Sequence, residues 1–170
     1  TAFRVPLLIA GNETTRNAIS GGISQLIENP GERQKLIDHP ALIPTAVEEI
    51  VRHVSPVLNF ARTATQDTEL RGRKIHKGEK VLLMYPSANR DSDAIDNPDT
   101  FDITRDNRNQ LAFGFGGHMC LGQHLAVLEV ELFFKELLPR LKNIEMAADP
   151  EWVQAIFVGG LKSMPVRYAF

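Results

Sequence analysis

Phe113-Gly114-Phe115-Gly116-Gly117-His118-Met119-Cys120-Leu121-Gly122 is the stretch on which the reading of this chain turns. It holds four glycines and the only cysteine in 170 residues. Glycine tolerates positive φ and lets backbone approach a flat object closely. A cysteine at the start of a helix lies near the positive end of its dipole, which favours thiolate over thiol. The competing reading is a structural cysteine buried beside a turn, the usual state of a lone thiol. After the loop, Leu121, Leu125, Leu128, Val130, Leu132, Phe133 and Leu137 recur with helical spacing. They predict a mostly buried helix to about Leu138, stopped by Pro139.

Working outward toward the N-terminus, apolar residues from Leu7 to about Glu28 predict a long helix, with Pro6 tolerable only in a first turn. Ala10 and Thr14 share one face of it, and Gly11 lies one turn from Thr14 and Thr15. Small residues beside the Thr14 hydroxyl and Glu13 carboxylate can form a groove for a small polar molecule. They can equally stand on a solvated face. Asn29-Pro30-Gly31 breaks the helix, a short one follows over Glu32 to Asp38, and a third runs from about Thr45 to Val54. Thr45 and Glu48 are spaced as a capping box. Glu49 and Arg52, three apart, can pair on one face, although such pairs are usually superficial and weak. Val57 to Thr63 reads as a strand, followed by short strands at Glu69-Leu70, Lys74-Ile75 and Val81 to Met84. A long irregular segment then includes Asn97-Pro98-Asp99 and Phe101-Asp102-Ile103-Thr104-Arg105. Beyond the second helix-rich part, 144–170 reads as strands and loops, with Ile156 to Gly160 as a hairpin tip. His39, His53, His76 and His124 read as surface or structural groups.

With 43% hydrophobic and 24% charged residues, the chain can build one domain with a substantial core. A net charge of -2 gives no reason to expect nucleic acid or an anionic membrane as partner. A single cysteine excludes an intrachain disulfide and fits a reducing, cytoplasmic compartment. No run of about 18 apolar residues is present.

Phe113, Gly116, His118, Cys120 and Gly122 match Phe-x-x-Gly-x-(Arg/His)-x-Cys-x-Gly, and on this loop the chain resembles the cytochrome P450 family. A thiolate among glycines and aromatic residues is what a haem iron needs on its proximal side. The resemblance implies a mainly α fold with small β-sheets (α+β), the C-terminal part of the P450 fold from its central oxygen-groove helix to the C-terminus. Residues 1–170 then form the C-terminal portion of a single domain whose N-terminal half is absent. It implies haem b held through the Cys120 thiolate, with Phe113, Gly114 and Gly116 close to it and Ala10 and Gly11 on the opposite face. Arg62 and His118 would hold propionates; without the motif, Arg62 is a solvated strand charge. Glu13 and Thr14 stand where an acid–alcohol pair delivers protons during dioxygen activation. Leu7, Ala10, Val57, Leu58, Phe157 and Val158 would line the substrate pocket. Glu49, Arg52 and Arg105 would form a buried structural network.

The implied activity is insertion of one oxygen atom from dioxygen into a C–H bond of an apolar small molecule. The segments 10–19, 45–52 and 159–166 look like bacterial hydroxylases of sterol side chains or methyl-branched lipids. Electrons would come from a ferredoxin- or flavodoxin-type donor with its NAD(P)H reductase. One departure concerns that donor: Leu125-Ala126-Val127 stands where many bacterial members have Leu-Ala-Arg. Two other readings are a non-catalytic haem-thiolate sensor and a truncated chain inactive alone.

Overall fold

The computed structural model describes the backbone over residues 4–170 and side chains over 10–170. Helix α1 runs Arg4–Glu28, with Pro6 in its first turn, where a missing N–H leaves no carbonyl unpaired. After Asn29, α2 spans Pro30–Asp38, and the 3-10 turn Pro40–Leu42 leads into α3, Ile43–Val54. On α3, Ile43, Ala46, Val47, Ile50 and Val51 are buried, a continuous apolar stripe of helical period.

That start corrects one expectation. Because the 3-10 turn continues directly into α3, Pro44 occupies its first turn and no side chain caps it. The Thr45–Glu48 capping box does not form, and Glu48 instead accepts a hydrogen bond from Gln110 Nε2 at 3.1 Å.

Strand β1 (Asn59–Thr63) pairs antiparallel with β4 (Lys80–Met84), and β2 (Thr68–Leu70) with β3 (Arg73–Ile75). The short helix α4 (Tyr85–Ala88) precedes an irregular stretch to residue 115, longer than an ordinary connection. The turn Gly116–His118 leads to α5, Gln123–Leu137, which ends in the 3-10 turn Leu138–Arg140. Two antiparallel pairs close the chain: β5 (Asn143–Met146) with β8 (Val166–Ala169), and β6 (Glu151–Trp152) with β7 (Leu161–Ser163).

The core lies where α1, α3 and α5 meet. Ala18 and Leu26 of α1, the α3 stripe, and Val130 and Phe134 of α5 pack there with Phe101, Ile103 and Ala112 from the irregular stretch. A Cβ on Gly22 would come within 2.9 Å of both Ile50 Cγ2 and Phe134 Cζ, so this glycine lets α1 approach both helices. Helix α5 is less buried than its periodicity predicts. Only Val130 and Phe134 are fully covered, whereas Leu125, Leu128 and Leu132 are about half exposed. Its apolar residues occupy two faces, and the described residues cover only one.

Candidate haem-thiolate site

The cysteine loop is shaped by its own backbone. Gly114 and Gly116 adopt φ of 75° and 68°, the left-handed region where a side chain would be strained. Cys120 N–H donates to Phe113 O at 2.8 Å, and Gly114 N–H donates to Leu111 O at 2.8 Å. These bonds fold 111–120 into a closed loop with the thiol on its outside: Cys120 is free and exposed. Beside it, Phe115 is 79% and Leu121 74% exposed, a degree unusual for such large apolar groups. His118 ends the 3-10 turn of the loop, and its side chain is exposed.

On β1, Arg62 pairs in register with Val81. Its guanidinium donates to Ala61 O at 3.0 Å and stands 6.0 Å from the Phe60 ring centroid. Among the described residues neither Arg62 nor His118 has an acidic partner. An accessible thiol, apolar side chains around it and two unpaired basic groups answer the three parts of a haem: iron, ring faces and carboxylate edge. The residues fit that group.

On α1, Thr14 Oγ1 donates to Ala10 O at 2.7 Å, which fixes the hydroxyl against the helix and leaves its lone pairs free. Ala10 and Gly11 are exposed beside it. Glu13 forms an ion pair with Arg16 on a largely exposed part of the helix. The carboxylate therefore lies next to Thr14 in sequence but is engaged with a cation. Leu7 lies outside the residues whose side chains are described.

The remaining pocket candidates come together as one block. Val57 bridges Val158, Leu58 N–H donates to Phe157 O at 2.8 Å, and Gly159 N–H donates to Pro56 O at 2.9 Å. Phe157 meets Phe60 edge to face with centroids 5.1 Å apart.

Behind the loop, Glu49 and Arg52 are both fully buried. Arg52 Nε and Nη2 donate to the two Glu49 oxygens at 2.7 and 2.8 Å. Its other donors reach Asn89 O at 2.7 Å, Pro98 O at 2.8 Å and Thr100 O at 3.3 Å. All five guanidinium N–H groups are thus used. Arg105 Nε donates to Glu49 Oε1 at 3.3 Å, and Asp102 N–H donates to the same oxygen at 2.9 Å.

Three residues missed by sequence reasoning complete this scaffold. Ser55, at a φ of 43°, caps α3 and donates from Oγ to Arg52 O at 2.7 Å. Asn89 is fully buried, donates from Nδ2 to Ser55 Oγ at 2.8 Å, and accepts from Leu111 N–H at 2.7 Å. One amide therefore ties the end of α3 to the start of the cysteine loop. Gln110, beside it, donates to Glu48 at the mouth of a cleft of about 850 Å³ lined also by Phe113, Met119, Val127 and Glu131. Burial raises the Glu48 carboxyl above the usual carboxylate range; the Gln110 bond opposes this and the Glu131 charge adds to it. Nothing in the local sequence marks the bonds of Asn89, since Ser55 and Leu111 lie 34 and 22 residues away.

Taken with the fold, this loop defines a class, the haem-thiolate proteins. The family model "Cytochrome P450" matches residues 33–155, and the chain belongs to that family. Cytochrome P450-terp of Pseudomonas sp is 49% identical over 167 residues, 98% of this chain and 39% of that protein. A methyl-branched lipid omega-hydroxylase of Mycobacterium bovis is 45% identical over 170 residues, 99% of this chain and 40% of its own length. The crystal structure of CYP108D1 from Novosphingobium aromaticivorans superposes with a TM-score of 0.93 at 40% identity, over 98% of this chain and 40% of that one. The chain thus spans about two fifths of the length of these relatives.

Proposed function

We propose that this chain is the C-terminal portion of a single P450 domain, and that the full-length protein is a monooxygenase acting on an apolar small molecule. The observation that carries this is the exposed Cys120, held by a loop with two left-handed glycines that also carries exposed Phe115 and Leu121. Haem b, when bound, supplies the activation of dioxygen, the co-substrate. Cys120 holds the iron, and the loop glycines keep backbone close to the sulfur. Arg62 and His118 orient the group through its carboxylates.

Thr14, on α1, would serve proton handling. Its proton is committed to Ala10 O, so its oxygen can accept a hydrogen bond from water or a small ligand and hold a proton donor in place. Glu13, tethered to Arg16, exchanges protons with solvent from the exposed part of the helix. Val57, Leu58, Phe157 and Val158 present an apolar wall, with Ala10 on α1 as the small residue of the groove, and this wall excludes water and selects an aliphatic substrate. A sterol side chain or methyl-branched lipid is the preferred class, in line with the hydroxylase relative. Electrons arrive from a ferredoxin- or flavodoxin-type donor with its NAD(P)H reductase, in the cytoplasm.

The test is turnover of the full-length protein with such a donor, under ¹⁸O-labelled dioxygen, against sterols, methyl-branched fatty acids and terpenes. One labelled oxygen atom in a hydroxylated product is expected. A product oxygen derived from water contradicts the reading.

The 170-residue stretch alone is a different matter. Leu121, Leu125, Leu128 and Leu132 of and before α5 leave a contiguous apolar stripe open, as a missing half of one core does. A chain inactive without further protein is the second reading, and these open leucines favour it.

A further inference from the structure

Asn17 sits on α1, one turn beyond Thr14, and only 2% of it is exposed. Its Nδ2 donates to Gly159 O at 2.9 Å, and its Oδ1 is buried with no hydrogen-bond partner. Turning the amide over would set two oxygens against each other at Gly159, so the donor toward the tip fixes its direction. A buried acceptor left unpaired is costly, and so is kept only where the rest of the side chain is strongly held. Gly160 supplies that hold. A Cβ there would lie 2.3 Å from Asn17 Cγ, 2.4 Å from Oδ1 and 2.5 Å from Nδ2, so the amide lies flat against the glycine backbone.

The tip that Asn17 grips belongs to the block of Val57, Leu58, Phe157 and Val158. A Cβ on Gly159 would come within 2.9 Å of Leu58 Cδ2, so the block is tightly packed as well as hydrogen-bonded. Among the described residues, Asn17 makes the one side-chain hydrogen bond between this block and α1. α1 also carries Ala10, Gly11 and Thr14. The Asn17–Gly160 contact is therefore where the apolar wall meets the helix that carries the groove.

We infer that Asn17 is a positioning residue: with Gly160 it sets the gap between wall and groove, and hence the length of apolar chain the pocket accepts. The inference rests on the haem-thiolate reading above, and its test separates the two.

Full-length, haem-loaded protein is titrated with imidazole and with 1-alkylimidazoles from butyl to dodecyl. The ring nitrogen binds the iron and the tail samples the pocket. Wild type, Asn17→Asp, Asn17→Ala, Gly160→Ala and the double variant Asn17→Ala/Gly160→Ala are compared. Asp keeps the shape but sets a carboxylate oxygen against Gly159 O, whereas Ala removes the amide altogether. Imidazole itself should bind all variants within about twofold of wild type. The longest tails should change in affinity by about two- to tenfold in Asn17→Ala, the range of one lost hydrogen bond, and by at least as much in Asn17→Asp. Gly160→Ala should shift the tail-length profile most, and Asn17→Ala should relieve that shift in the double variant, since the clashing atoms are gone. Equal shifts for every tail length, or a Gly160→Ala effect indifferent to residue 17, overturn the inference. So does failure of both Asn17 variants to load haem, which would make Asn17 a folding residue. A wild-type spectrum unmoved by imidazole contradicts the haem-thiolate reading itself, and the inference with it.

Discussion

Removing the Glu49 carboxylate would leave Arg52, fully buried, and Arg105, 12% exposed, facing each other with no anion between them. Breaking a buried pair in this way typically costs about 3–5 kcal/mol, whereas loss of a surface pair costs about 0–1 kcal/mol. Glu49→Ala in the full-length protein should therefore fail to incorporate haem, as read by the ratio of Soret to protein absorbance. Normal loading would mean that the network is energetically idle. Thr14 permits a subtler prediction. Thr14→Ala deletes the oxygen anchored on Ala10 O without disturbing the helix. Donor oxidation should continue while product yield falls and peroxide rises, with Thr14→Ser restoring coupling. Unchanged coupling in the alanine variant would remove Thr14 from proton delivery.

At the scale of elements, α3 is fastened to the irregular stretch by more than its ion pair. His53, near its C-terminus, approaches Asp99 O at 3.3 Å through Nε2 and meets the Phe101 ring edge-on at 5.6 Å. Burial, more than any neighbouring charge, pulls its pKa below the ordinary value. The folded state thus favours neutral His53. Its contribution to stability is full above the unfolded pKa, about 6.5, and is lost as pH falls through that value toward the folded one. Urea midpoints of the full-length protein should decline from about pH 7.5 to 5.5, the window around that unfolded value, and less steeply in His53→Gln. Identical slopes would show that His53 does not couple folding to protons.

The same elements show what a sequence can disclose. α1, α2 and the strands up to Met84 were legible because period and breakers are local signals, and Glu49–Arg52 because helix geometry places residues three apart together; the four strands from Asn143 onward were not placed singly. The capping box at Thr45 failed because a 3-10 turn upstream, itself unmarked, moved the helix start to Ile43. Asn17, Ser55 and Asn89 were illegible for a different reason. Each is a polar residue whose partner is brought in by the fold: Gly159 for Asn17, Asn89 for Ser55, Leu111 for Asn89. The glycine turns of the cysteine loop were readable because Gly114 and Gly116 adopt positive φ within it, whereas its anchor on Asn89 and the start of α5 at Gln123, three residues after Cys120, were not.

For the whole molecule, the Glu49–Arg52 scaffold behind the loop is fully paired, whereas large apolar side chains on the loop are open. Arg52 uses every donor, while Phe115 and Leu121 are 79% and 74% exposed. That asymmetry is what a haem and a further layer of protein would cover, and it makes Cys120 the point on which the account rests. The direct measurement is the absorbance of the full-length protein, reduced and exposed to carbon monoxide, in wild type and in Cys120→His. The wild type should give the red-shifted Soret band of thiolate ligation, and the histidine variant should lose it. A thiolate-type band that survives in Cys120→His would contradict the assignment.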